Sequence, residues 1–260
     1  MADPLFKVGV LGATGYIGAP YRAEIRECGE ASIVALCARR EELLAKAAEE
    51  DGAQLATQNW REVVEHPEVN FVIVGTPDAL HHEAVLACAA QGKHLLCEKP
   101  VGMNAGEAEE MWKLYRNASP TLAHYVPFWT RMVRVFGIAR EIVAAGELGE
   151  IVSTVFRWQN PRPEAMPLTW RDDPTLSSAG TIADVGSHAY DVVRWIIGAE
   201  AESVLAHGET LTPSKAEVGE INLAEAIEWG KDGQQVASSS RKGGTVVFAN
   251  LSFLFSSASV

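Results

Sequence analysis

The chain carries no cluster of lysines and arginines. Its 260 residues hold 22 Lys and Arg against 34 Asp and Glu, a formal net charge of −12. Binding a phosphate backbone needs clustered cations, so nucleic acid is excluded as a partner. No apolar run reaches the length of a bilayer span, so no membrane partner is expected. Cysteine is sparse. Cys28, Cys37, Cys88 and Cys97 lack metal-ligand spacing and fall inside apolar strand or helix patterns. They read as buried free thiols of a reducing compartment. His81, His82, His94 and His124 come from different loops and strands, and no metal site is expected of them. No cleavable hydrophobic segment precedes the first strand, Lys7–Leu11, so a cytoplasmic location is expected. What remains is ordinary globular material, 47% hydrophobic and 22% charged, with length for one large or two ordinary domains.

The first half alternates strands and helices. Lys7–Leu11 is an apolar strand, followed by the turn Gly12-Ala13-Thr14-Gly15-Tyr16-Ile17-Gly18 and a helix over Tyr16–Cys28. Glycines permit a tight turn and let the backbone approach a pyrophosphate at the following helix N-terminus. The spacing is G-x-x-G-x-x-G, one residue longer at its start than the usual dinucleotide fingerprint. Ser32–Cys37 is the next strand. Its tip carries Ala38-Arg39-Arg40 where an NAD-binding domain usually places an acid for the ribose 2′-hydroxyl. Arginine suits a 2′-phosphate, so NADP(H) is expected in preference to NAD(H). The two arginines also fit the start of the helix Glu41–Asp51.

Phe71–Val74 ends at Gly75-Thr76-Pro77, and a helix over Leu80–Gln91 follows. Thr76, Pro77 and His81 lie just past a strand end, within reach of a cofactor. The run Leu95-Leu96-Cys97 stops at Glu98-Lys99-Pro100, because proline cannot continue a ladder. Ligands of open α/β sheets sit beyond the carboxyl ends of strands, which makes Lys99 a candidate site residue. Read alone, the tripeptide also fits a surface ion pair between Glu98 and Lys99. Asn104-Ala-Gly-Glu107 is a capping signature that opens a helix to Asn117, and Thr121–Val126 reads as a further strand. This pattern predicts parallel βαβ units in a doubly wound dinucleotide-binding domain, residues 1–126.

The second half, residues 127–260, predicts a helix over Phe128–Gly146 and a β-rich segment Ile151–Trp158. An irregular, proline-rich loop Gln159–Ser178 comes next. Strands are expected at Glu202–Glu209, Ile221–Trp229 and Thr245–Phe255, with a hairpin at Asp232-Gly233 into Gln234–Ser239. Between them, Ile182, Val185, Ala189, Val192, Val193 and Ile196 form a helical stripe. Asp184 and His188 are four residues apart and share a helical face, which Asp191 extends. A carboxylate beside an imidazole suits acid–base work near neutral pH. The same spacing also fits a solvated i,i+4 ion pair.

Three stretches together resemble the glucose–fructose oxidoreductase/inositol dehydrogenase/MocA (Gfo/Idh/MocA) family. They are Gly75–His81, Gly92–Pro100 and Ala179–Asp191, and Trp170-Arg171-Asp-Asp is similar to the family's preceding loop. The resemblance runs from about Lys7 to Gly198 and is weak beyond. It implies a Rossmann domain followed by an α+β domain with a mostly antiparallel sheet, here shorter than usual for the family. It implies nicotinamide-dependent oxidation or reduction of a sugar, cyclitol or similar polyol. Lys99, Asp184 and His188 match the family's catalytic residues, with His188 as proton shuttle and Lys99 and Asp184 positioning the substrate hydroxyl. The implied cofactor contacts are Gly12, Ala13, Thr14, Gly15, Tyr16, Ile17, Arg39, Arg40, Thr76, Pro77, His81, Glu98 and Lys99. Arg157, Trp158, Trp170 and Arg171 are expected to line a substrate pocket. A homo-oligomer, dimer or tetramer, is expected because family members pair through the second sheet. Alternatives are a non-catalytic nucleotide sensor of the same fold and a glycosidase that uses tightly held cofactor.

Overall fold

The computed structural model describes residues 4–158, 162–163, 165–209, 214–231, 240–242 and 248–255. The chain divides into two compact units, Met1–Pro127 with Asn222–Ala224, and Phe128–Ile221 with Glu225–Val260.

In the first unit, strands β1 (Phe6–Leu11), β2 (Ala31–Cys37), β3 (Leu55–Thr57), β4 (Phe71–Val74), β5 (His94–Cys97) and β6 (His124–Tyr125) form one sheet in the order β3-β2-β1-β4-β5-β6. Every pairing is parallel. Parallel sheets are covered on both faces, so their strands read as continuous apolar runs. Successive residues then feed opposite layers. Val72 and Val74 join one core with Val63, Val85, Met111 and Tyr115, from α3 (Trp60–Glu65), α4 (His81–Ala90) and α5 (Ala105–Ala118). Ile73 joins the other with Ile25 and Leu44, from α1 (Gly18–Glu27) and α2 (Glu41–Asp51). Each buried aliphatic chain stabilises the fold by roughly 1.5–3 kcal/mol.

The expected helix boundaries hold closely where capping is local. The Asn104 side chain accepts from the Glu107 N–H at 3.0 Å, and Glu107 returns the contact by accepting from the Met103 N–H at 2.8 Å. Glycine closes α2, where Gly52 adopts the left-handed conformation. The strand expected over Thr121–Val126 is only two residues long, His124–Tyr125. Cys28 is exposed, against the expectation of four buried thiols, because it caps α1 beyond that helix's buried face.

In the second unit the helix expected over Phe128–Gly146 is broken. A single 3-10 turn, Trp129–Met132, precedes α6 (Arg134–Ala144), and Val133 between them is extended. Ile151–Trp158 is not a strand, and it has no ladder partner among the described residues. Ile182–Gly186 forms a π turn that runs into α7 (Ser187–Ile197). Arg140 of α6 sits 4.8 Å from the Trp195 ring of α7. The strands β7 (Ala201–Glu209) and β10 (Phe248–Phe255) pair antiparallel, as do β8 (Ser214–Ala216) and β9 (Ser240–Lys242). Between β8 and β9 lies α8 (Leu223–Lys231), where a strand was expected over Ile221–Trp229. Leu223, Ala226 and Ile227 recur at helical spacing, and that period prevails over the local β-formers. The expected hairpin at Asp232-Gly233 and strand Gln234–Ser239 lie outside the described residues.

Candidate active site

The sheet order of the first unit reverses direction at β1, whose neighbours are β2 and β4. Ligands of doubly wound sheets bind at such a switch point, beyond the carboxyl ends of the strands. The glycine turn begins there. Gly12 has φ +81°, and a Cβ on it would lie 2.5 Å from the Gly75 carbonyl oxygen at the end of β4. A Cβ on Gly18 would lie 2.2 Å from the Gly12 carbonyl oxygen. The glycines therefore let α1 and β4 close directly on the turn. The N–H groups of Gly12 and Ala13 both donate to the Cys37 carbonyl, at 2.9 and 3.0 Å. Those of Thr14, Tyr16 and Ile17 have no backbone acceptor among the described residues, and they lie at the N-terminus of α1. Donors so arranged fit a pyrophosphate.

The remaining nucleotide candidates lie around this turn. Arg39 is exposed and Arg40 half-buried where β2 ends, and Arg40 caps α2. The Thr76 hydroxyl oxygen is buried with no hydrogen-bond partner among the described residues. A buried orphan hydroxyl beside the glycine turn fits a site that takes a polar ligand.

His81 is fully buried, with one ring nitrogen 3.0 Å from the Pro100 carbonyl and the other 2.9 Å from the Thr76 carbonyl. Both nitrogens are engaged with backbone, so the ring braces the ends of β4 and β5 against each other. A direct cofactor contact through a ring nitrogen is not its geometry.

Lys99 is half-buried just beyond β5, and the Lys99–Pro100 peptide is cis. Its N–H donates to Glu98 Oε2 at 3.1 Å, while the Tyr21 hydroxyl of α1 donates to Glu98 Oε1 at 2.6 Å. Burial, and next the Glu98 carboxylate, push the Tyr21 phenol well above its ordinary pKa. Tyr21 was not foreseen as a site residue. Its only local sign is its place one helical turn after Gly18. Glu98 was expected to touch cofactor; both its oxygens serve this network.

The second unit carries the other constellation. His188 at the start of α7 is buried beneath aromatic rings. The Trp158 ring stacks on it at 5.7 Å, and Phe128 and Trp129 present themselves edge-on, each at 5.8 Å. Asp184 sits in the π turn, so it and His188 do not share one α-helical face as the spacing implied. π turns recur at functional sites. The Asp184 carboxylate faces Arg171 Nε at 3.3 Å and Arg162 at 3.7 Å. The Arg171 guanidinium also lies 4.5 Å from the Trp170 ring. Asp191, expected to extend the acid face, is bound by Arg131 Nε at 2.8 Å and Nη2 at 2.5 Å. Asp172 accepts from the Thr169 N–H and from Lys215, at 3.0 and 2.8 Å. Arg157 is exposed. The structure thus gathers Trp158, Trp170, Arg171, Asp184 and His188 into two adjoining clusters of this unit. Trp129, Phe128 and Arg162 join them and were not foreseen as site residues, because a ring or cation becomes a neighbour of His188 or Asp184 only through tertiary packing.

Two family profiles match the chain. One, described as an oxidoreductase family with an NAD-binding Rossmann fold, covers residues 6–125. The other, the GFO/IDH/MocA C-terminal domain, covers residues 136–255. A levoglucosan dehydrogenase of Pseudarthrobacter phenanthrenivorans is 30% identical over 177 residues, 67% of this chain and 44% of the relative. A myo-inositol 2-dehydrogenase of Thermotoga maritima is 30% identical over 222 residues, 85% of this chain and 64% of the relative. A solved levoglucosan dehydrogenase, in complex with NADH and levoglucosan, superposes with a TM-score of 0.69 at 26% identity, over 81% of this chain and 58% of that one. The chain therefore spans between 44% and 64% of the length of these curated relatives.

Proposed function

The chain belongs to the Gfo/Idh/MocA oxidoreductase family, and we propose that it is a nicotinamide-dependent oxidoreductase acting on a hydroxyl or carbonyl of a sugar, cyclitol or similar small polyol. One observation carries the reading. The glycine turn, Thr76 and Lys99 stand at the carboxyl ends of β1, β4 and β5, three neighbouring strands at the switch point. That edge offers backbone donors for a pyrophosphate and a lysine one strand further on.

Residues 1–126 serve as the nucleotide-binding domain, and 127–260 as the substrate and oligomerisation domain. The open N–H groups of the Thr14–Ile17 turn hold the pyrophosphate, and the Thr76 hydroxyl supplies a further donor. When bound, the nicotinamide supplies the site that accepts or gives up hydride. The Lys99 ammonium donates to the substrate oxygen and favours the alkoxide-like charge that develops there. His188 takes or returns the hydroxyl proton, and the rings of Trp158, Trp129 and Phe128 hold its imidazole in place. Asp184, fixed by Arg171 and Arg162, orients a substrate hydroxyl. We further propose NADP(H) over NAD(H), because the β2 tip offers Arg39 and Arg40 and no acid to a ribose 2′-substituent.

The test is a thermal-shift titration with NADP(H) and NAD(H) in parallel, since a ligand that binds only the native state raises its melting point. A shift with NADP(H) at lower concentration is expected. The reverse order overturns the cofactor preference and leaves the fold reading intact. Cofactor reduction is then followed across a polyol panel. Lys99→Met is expected to keep nucleotide binding and lose about a hundredfold or more in kcat/KM. Full activity in that variant removes Lys99 from the mechanism. Binding without turnover of any polyol or ketose makes the chain a nucleotide sensor.

A further inference from the structure

We infer that Tyr21 is a positioning residue: acting through Glu98, it fixes where Lys99 stands relative to the glycine turn. The inference rests on the role proposed for Lys99. The path is short and continuous. The Tyr21 hydroxyl donates to Glu98 Oε1 at 2.6 Å, and Glu98 Oε2 accepts from the Lys99 N–H at 3.1 Å. Tyr21 lies on α1, the helix whose first turn follows Gly18 and faces the pyrophosphate site. The Tyr21–Glu98 bond therefore spans the two parts that must keep register, the helix that seats the nucleotide and the strand end that carries the lysine. On the far side of Lys99, the His81 ring meets the Pro100 carbonyl at 3.0 Å. Lys99 is thus gripped from both flanking residues, once from α1 and once from α4.

The bond is built to hold. The phenol is desolvated, its pKa is raised, and it stays protonated as a donor across the working range of pH. A neutral donor on a carboxylate is a charge-assisted bond, shorter and stronger than a neutral pair. Placement of this kind matters for rate because a misplacement of about 1 Å can cost on the order of a hundredfold. Nothing local in the sequence couples the two residues, which are 77 positions apart.

The experiment uses the full chain as wild type, Tyr21→Phe, Glu98→Ala, Glu98→Gln and the Tyr21→Phe/Glu98→Ala double variant. Amide hydrogen exchange of the peptide holding Lys99 is read first and needs no substrate. Tyr21→Phe and Glu98→Ala are expected to speed its exchange about tenfold, with β1 unchanged. Glu98→Gln is expected to exchange more slowly than Glu98→Ala and faster than wild type, because its carbonyl accepts the Lys99 N–H and its amide donates to the Tyr21 oxygen, but without charge assistance. With a polyol that the wild type turns over, Tyr21→Phe is expected to lower kcat about tenfold. KM for the nucleotide and its thermal-shift midpoint should stay within about twofold, a split that general destabilisation would not give. In the Glu98→Ala background, adding Tyr21→Phe should change nothing further. Unchanged exchange at Lys99 in Tyr21→Phe overturns the inference, as does a kcat loss that Glu98→Ala does not absorb. Should Tyr21→Phe not fold, equal exchange in Glu98→Ala and Glu98→Gln overturns it instead. A wild type that oxidises no polyol refutes the proposed function, while the exchange result still decides whether Tyr21 holds Lys99.

Discussion

The two units hold their polar residues in place by different means. In the first, the candidate residues stand on strand ends whose strands are sealed into two apolar layers, and backbone contacts join the Tyr21–Glu98 bond as fixed points. The Cys37 carbonyl takes two turn N–H groups, and His81 joins two loop carbonyls. In the second, the candidate carboxylates stand among paired charges, while His188 stands among aromatic rings. Asp172 is held by Lys215, Asp184 by Arg162 and Arg171, and Asp191 by Arg131 and Arg194. Among the described residues its buried apolar side chains are few by comparison, with Val192, Val193 and Met166 among them. A site resting on packed strands resists a change of charge and fails on a change of shape. A site resting on ion pairs behaves in the opposite way.

That contrast breaks first at Arg131. Arg131→Met leaves the Asp191 carboxylate, only 5% exposed, with the more distant Arg194 as its remaining cation. The expected cost is about 3 kcal/mol in urea unfolding, because a buried charge that loses its partner is strongly destabilising. A loss under about 0.5 kcal/mol would show that Arg194 alone suffices. The matching change of shape in the first unit is Gly18→Ala. Its new Cβ would meet the Gly12 carbonyl oxygen at 2.2 Å, so a loss of about 2 kcal/mol is expected, with nucleotide affinity falling in the same titration. Unaltered binding would mean that the turn yields. A smaller effect is expected from Tyr115→Phe, which removes the buried 3.1 Å bond from its hydroxyl to the Lys93 carbonyl. About 1 kcal/mol should be lost, as for one net hydrogen bond, measured by the same melts.

The smallest perturbation is chemical labelling at pH 8. Burial raises the thiol pKa of Cys37 to about 11 and of Cys88 to about 12, and pushes Cys97 up as well. A raised pKa keeps a thiol protonated and unreactive at this pH. Cys28 alone is exposed, so Ellman's reagent should titrate one thiol in the native protein and four after denaturation. Raising the pH should recruit Cys37 before Cys88. A second fast thiol at pH 8 would show that the sheet of the first unit opens.

Legibility in the sequence followed the range of the interactions. Strands β1, β2, β4 and β5, the Asn104 cap and the left-handed glycine closing α2 depend on neighbours within a few residues, and the chain states them openly, whereas the three-residue β3 was not foreseen. The Glu-Lys-Pro strand end and the glycine turn were visible for the same reason. Tyr21 was not, since its meaning lies in a carboxylate 77 residues away. Asp184 and His188 were visible as a pair, but the four-residue rule presumes an α-helix, and Ile182–Gly186 is a π turn. Ile151–Trp158 is rich in β-formers, and β-formers without a ladder partner among the described residues make no strand. Leu223–Lys231 was misassigned because its β-forming residues were weighed above their spacing.

The pair of hydrogen bonds that the Cys37 carbonyl accepts bears on how such a protein can change over generations. Gly12 and Ala13 moor the end of β2 to the turn through main-chain atoms, and the Ala38 N–H moors the next residue to the Thr57 carbonyl at 3.3 Å. Main-chain moorings are indifferent to which side chain follows. Arg39 is exposed just beyond that fixed point. On the proposed nucleotide site, a single codon change there would alter what faces the ribose without disturbing the glycine turn. If Arg39 reads the ribose as proposed, nucleotide preference would be a trait free to drift while the moored strand end beneath it stays put.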